Sequence, residues 1–195
     1  MNRPLQALYQ EHGSISAVLN ALDALAREVG KGRTVDLRVF KAIVHYLDVF
    51  PERYHHPKED EMLFAAVRQR THDADAVIER LQKQHEAGGG ALRELEQALL
   101  RWEGAAADGT RRAAFADAAA LFVGRYREHM RVEEEELMPL AAKVLTAGDW
   151  ARIESAFADH RDPLHGLTAD AQADLMYRRI LDLAPEPVGL AKRLP

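Results

Sequence analysis

The chain has 195 residues, 47% of them hydrophobic and 29% charged, with a net charge of −5. That is enough for one domain with a substantial core and an appendage, and it offers no dominant basic patch for a nucleic acid. Cysteine is absent, which excludes disulfides, thiolate metal sites, Cys-ligated clusters and cysteine nucleophiles. Any transition metal must then be held by histidine and carboxylate. No apolar run approaches the ~18 residues of a membrane span, and the N-terminus has no apolar signal segment; both predict a cytoplasmic protein with no membrane partner.

Leu5, Leu8, His12, Ile15, Leu19, Leu22 and Val29 repeat at three- and four-residue spacing and predict a helix over 5–29 with one buried seam. Gly30-Lys31-Gly32 ends it. His12 sits in the seam. A second helix, capped by Thr34 or Asp36, runs to about Arg70 with Phe40, Val44 and Leu47 on its inner face. Pro51 and Pro57 fall inside it and predict a kink or an irregular turn. Next comes the stretch Tyr54-His55-His56-Pro57-Lys58-Glu59-Asp60-Glu61-Met62-Leu63-Phe64. Two pairs there are four apart, His55 with Glu59 and His56 with Asp60, and an ordinary helix turns only one of them inward.

The third helix spans about Asp73 to Trp102, its seam formed by Ile78, Leu81, His85, Gly88, Leu92, Leu95, Leu99 and Trp102. Gly88-Gly89-Gly90 in mid-helix costs roughly 1 kcal/mol per glycine relative to alanine. The glycines permit either close helix packing or space for a ligand beside His85. After a loop at 104–109, a fourth helix runs from about Arg111 to Leu145. Its apolar face carries Phe115, Ala119, Phe122, Tyr126, His129, Glu133, Leu137 and Leu140, and Pro139 bends or shortens its end. A carboxylate in that stripe demands a partner, and a metal ion is one. A fifth helix covers Asp149 to about His160, residues 161–166 break it, and a last amphipathic helix covers 168–183 with Arg178 and Arg179 exposed. The tail from Ala184 has no core of its own. No strand pattern appears, so the fold class is all-α.

An internal repeat relates these helices. His55 and Glu59 match His129 and Glu133 at an offset of 74, as do the acidic 60 and 61 with 134 and 135, and Leu63 with Leu137; His12 matches His85 at 73. This is a doubled helical hairpin with approximate two-fold symmetry, and it turns His55 and Glu59 inward, leaving His56 and Asp60 as flanking residues. A four-helix bundle brings such seam positions together. Two metals a few ångströms apart, with imidazoles and shared carboxylates, fit a His–Glu pair spanning about 6 Å of helix. Donors without sulfur suit iron or manganese, with zinc favouring closed tetrahedral sites. Four positive charges against two glutamates lead us to expect an added hydroxide or oxide bridge.

The set His12, His55-x3-Glu59, His85 and His129-x3-Glu133, with acidic residues after each glutamate, resembles the hemerythrin-like (HHE cation-binding) family. The resemblance covers about residues 5–145. It implies an up-down-up-down four-helix bundle with additional C-terminal helices, bounded as 1–146 for the bundle and 147–195 for the extension. It also implies a non-haem di-iron centre with His12, His55, His85 and His129 as terminal ligands and Glu59 and Glu133 as bridges. Oxygen-carrying members have two histidines a turn apart on the third helix. Here the positions four away from His85 are Leu81 and Gly89, so one iron lacks an imidazole unless His160 or another group supplies it. That shifts the expectation from O₂ carriage towards sensing, NO or peroxide chemistry, or iron handling, with a diatomic ligand or peroxide as partner. The alternatives are ferritin-like iron oxidation, for which the Glu-x-x-His spacing occurs once, at Glu52–His55, and a helical interaction module with a structural metal. Tyr9 and Tyr126 read as core aromatics and the acidic runs after each glutamate as a solvated face. His45, His56, His72, His160 and His165 read as surface or structural residues.

Overall fold

The computed structural model describes residues 3–158, 169–185 and 188–189, and it is helical throughout. Helix α1 is Arg3–Gly30. Its stop is the predicted glycine signal. The Gly32 amide bonds the Val29 carbonyl and the Arg33 amide that of Glu28, and Gly32 takes φ +88°, a value that an L side chain resists.

Helix α2 begins at Leu37–Leu47, capped by Asp36, whose carboxylate accepts from the Arg38 amide. It does not stop or kink at its prolines. It continues through a π-helical stretch, Asp48–His55, an α turn, His56–Lys58, a second π stretch, Glu59–Phe64, and ends as Ala65–Arg68. The His56 amide reaches back five residues to the Pro51 carbonyl. Such wide turns absorb an extra residue without breaking the helix. Helix α3 is Asp75–Glu103. Helix α4 starts at Gly109, two residues before the predicted start, because Asp108 caps the amides of Thr110 and Arg111. It runs Gly109–Val132, turns π-helical at Glu133–Leu137, and finishes as Met138–Val144.

Helix α5, Ala147–Ala158, also starts earlier than predicted. Thr146 and Asp149 cap each other's amides, and Asp149 also holds Arg70 at the far end of α2. Helix α6 is Ala169–Leu183. Its Ile180, followed by Ala184, joins the apolar cluster around Phe40 and Phe115. The start of the tail is therefore packed, contrary to its reading as a segment without core contacts. His160, His165 and the break at 161–166 lie outside the described residues. Among the described residues no helix is long and apolar enough to cross a membrane.

Helices α1 and α3 both pack along α4, and α2 packs against α1 and α3. The apolar side chains they bury form two clusters. One contains Ile15, Leu19, Phe40, Phe115 and Leu95. The other contains Leu5, Leu8, Leu63, Ile78, Leu81, Val132 and Leu137. His12 lies on α1 between Leu8 of one cluster and Ile15 of the other, so a polar layer divides the core.

Candidate metal centre

Eight polar side chains of that layer are buried: Glu11, His12, His55, His56, Lys58, Glu59, His129 and Glu133. The His85 side chain is buried beside them. The six residues picked out by the repeat converge. His12, His55, Glu59 and Glu133 form one group whose donor atoms lie within 4.8 Å of one another, and Glu59, His85, His129 and Glu133 form a second. The two glutamates belong to both groups, each with one oxygen turned to each side. Glu59 Oε1 is 3.7 Å from His12 Nε2 and 3.6 Å from His55 Nε2, and its Oε2 is 3.7 Å from His85 Nε2. Glu133 Oε2 is 3.4 Å from His12 Nε2, while its Oε1 is 3.7 Å from His85 Nε2 and 3.3 Å from His129 Nε2.

These separations are long for hydrogen bonds. They suit donors around one ion, since two atoms about 2.1 Å from a shared metal lie roughly 3–3.6 Å apart. His12 Nε2, His55 Nε2 and all four carboxylate oxygens are buried without a hydrogen-bond partner. At about 1–3 kcal/mol for each orphaned group, six of them cost as much as a domain's whole stability of about 5–15 kcal/mol. The donor set therefore fits a cation pair. A family model for the hemerythrin HHE cation binding domain matches residues 3–141.

The chain belongs to that family. No curated protein matches it, so for this HHE chain the geometry carries the rest. Each of the four histidines is held by its other ring nitrogen. The Nδ1 of His12 donates to Glu134 (2.8 Å), that of His55 to Glu11 (2.7 Å), that of His85 to Asp60 (2.9 Å) and that of His129 to Gln84 (3.0 Å). These bonds fix the tautomer that aims Nε2 at the centre. The repeat runs through this outer ring as well. Glu11 and Gln84 precede His12 and His85, and Asp60 and Glu134 come directly after Glu59 and Glu133. The acidic runs are thus not only a solvated face, because the first member of each turns back to a histidine.

His56 departs from its expected flanking place. It is 5% exposed, its ring lies 4.1 Å from that of His85 and 5.2 Å from that of His129, and with those two it forms a third group able to hold a metal. The π-helical stretch that ends at His55 admits two successive histidines to the interior. This stretch has no counterpart in α4, whose only π turn is at Glu133–Leu137. Tyr126 is more than a core aromatic, since its hydroxyl donates to His56 Nε2 at 2.8 Å. Burial, with the charges of Glu52, Glu133 and Glu59, keeps this phenol protonated well above its ordinary range. Tyr9 packs at the edge of the Leu5 cluster, as a core aromatic should. His45 and His72 are exposed.

Without a cation the layer is held by protons. Burial alone would lower His12, but Glu59, Glu133 and Glu134 raise it to about 9. Burial is likewise overcome at His85, which Asp60, Glu133 and Glu59 raise to about 10. Burial and the charge of His85 push His129 down to about 3. Burial is outweighed at Glu59 by His55, His12 and His85, which keep it ionised. Burial and the charge of Glu59 push Glu133 up to about 7.

Proposed function

We propose that this chain is an up-down-up-down four-helix bundle holding two iron ions, which binds or reacts with O₂, NO or peroxide. The observation that carries the reading is the division of the two buried glutamates, each offering one oxygen to each of two imidazole pairs. His12 and His55 would hold one ion, His85 and His129 the other, and Glu59 and Glu133 would bridge them. Four carboxylates, Glu59, Glu133, Asp60 and Glu134, surround the pair, while Glu11 is balanced by buried Lys58 at 2.7 Å. Two divalent ions match that charge, so a hydroxide or oxide bridge is not demanded by charge alone. Each ion would receive two nitrogens and two oxygens, fewer donors than iron or manganese usually takes, which leaves room for an exogenous ligand. When bound, the pair would supply Lewis acidity and one-electron redox chemistry. The chain's own part is to aim Nε2 atoms, exclude bulk water and neutralise charge.

Glu52, the glutamate at ferritin-like spacing, is absent from the groups that share donor atoms, which weighs against ferritin-like iron oxidation. Anaerobic loading with ferrous iron tests the proposal. We expect about two irons per chain, lost in His129→Ala and Glu133→Ala, and a visible spectrum that responds to O₂, NO or peroxide. A chain that takes up no metal, and whose stability those substitutions leave unchanged, would sink it.

A further inference from the structure

The two halves of the centre are built alike but are not equally open. His85 and His129 line a cavity of about 530 Å³, together with Glu52, His56, Gly88 and Tyr126. The cavity lining includes neither His12 nor His55. The internal repeat accounts for the difference. Gly88 corresponds to Ile15 at the offset of 73, and His56 and Glu52 correspond to Met130 and Tyr126 at the offset of 74. Ile15, Met130 and Tyr126 are all buried apolar or aromatic residues. Where one half carries isoleucine and methionine, the other carries a glycine, an imidazole and a carboxyl group.

Gly88 is the residue that makes room. A Cβ there would lie 2.9 Å from Glu52 Oε1 and 3.0 Å from Oε2, closer than real side chains approach. The carboxyl of Glu52 occupies the space that any other residue at 88 would take. Its Oε1 is buried without a hydrogen-bond partner, as is the Nδ1 of His56 3.8 Å away. Glu52 also lines a neighbouring groove of about 580 Å³, so it stands between the cavity and the surface. Burial, with Asp48 beside it, raises Glu52 to about 7 against the pull of His85 and Arg93. Near neutral pH it therefore has a proton with which to donate a hydrogen bond.

We propose that this cavity is the binding pocket for a small hydroperoxide-class ligand, and that Glu52, seated in the space Gly88 leaves, is the group that hydrogen-bonds it. The proposal rests on the dinuclear reading above. A ligand of this class has a terminal lone pair that accepts from a carboxyl group. NO accepts only weakly, so Glu52 favours the former.

The test uses the full chain loaded with iron, azide on the oxidised protein as a non-reacting stand-in for hydroperoxide, and NO on the reduced protein. Iron content is read first. Glu52→Ala is expected to keep the iron, lower azide affinity about tenfold or more through loss of one donor, and leave NO affinity unchanged. Glu52→Gln, which still donates, is expected to recover most of the azide affinity. Gly88→Ala, which evicts the carboxyl, is expected to weaken azide binding in a protein at least as heat-stable as the original, because alanine favours the helix. An azide affinity unaltered by Glu52→Ala, or one that falls together with NO affinity, overturns the proposal. A wild-type chain without iron overturns the dinuclear reading itself, and this is known before any ligand is added.

Discussion

Glu11 and Gln84 hold equivalent places in the two halves but carry different loads. Gln84 accepts one hydrogen bond, from His129 Nδ1, in a half-buried setting. Glu11 takes both His55 Nδ1 and Lys58 Nζ, each at 2.7 Å, and all three groups are buried. Burial would raise the Glu11 carboxyl, but His55 and Lys58 hold it below its ordinary value. Removing one partner of a buried pair leaves the other charge without compensation, at a cost of about 3–5 kcal/mol. A neutral, partly solvated hydrogen bond is worth about 0.5–1.5 kcal/mol. In metal-free protein, Glu11→Ala should therefore destabilise markedly more than Gln84→Ala, as read from urea midpoints. In loaded protein both should weaken metal binding, by about 10–100-fold, because each frees one imidazole to rotate. Equal urea midpoints for the two variants would show that Lys58 does not depend on Glu11.

At the scale of the helices, α2 is where an ordinary period misleads. Seam spacing located all four long helices to within about two residues of their ends, because a buried apolar stripe repeats at 3.6 residues whatever lies beside it. The same spacing cannot register a π turn, which adds a residue without leaving the helix. That is why His56 read as an outward neighbour of His55. The ring of Glu11, Gln84, Asp60 and Glu134 was hidden for a related reason: each lies one residue off the seam, where polar side chains are expected. Its only trace was the repeat, which pairs Glu11 with Gln84 as it pairs His12 with His85. If the π stretch Asp48–His55 sets the register, deleting Val49 should rotate the remainder of α2 by about 100° and carry His55 and Glu59 off the centre. The expected outcome is a helical protein, by far-ultraviolet circular dichroism, that no longer takes up metal. Retention of the metal would show that the helix re-forms its wide turn elsewhere.

For the molecule as a whole, two apolar clusters enclose a layer that needs positive charge, and that charge comes from protons or from metal. Which of the two supplies it sets the sign of the pH dependence. In metal-free protein His12 and His85 titrate at about 9 and about 10, above the unfolded value of about 6.5. Their contribution to stability is complete below pH 6.5 and is lost as pH rises through 9 and 10. His56 and His129, held low by burial and by His85, act in the other direction only below pH 6.5. Metal must displace the protons on His12 and His85, so its apparent affinity should rise between pH 6.5 and 9. Once bound, it removes the alkaline loss. Between pH 7 and 10 the melting temperature of the metal-free protein should therefore fall by roughly 5 °C or more, while that of the loaded protein stays level. Parallel falls in both forms would mean that the imidazoles are not the groups the metal displaces. A metal-free chain with no cooperative melting at any pH would identify the ions as a folding element, because the clusters around Phe40 and Leu63 would then be unable to hold the helices together alone.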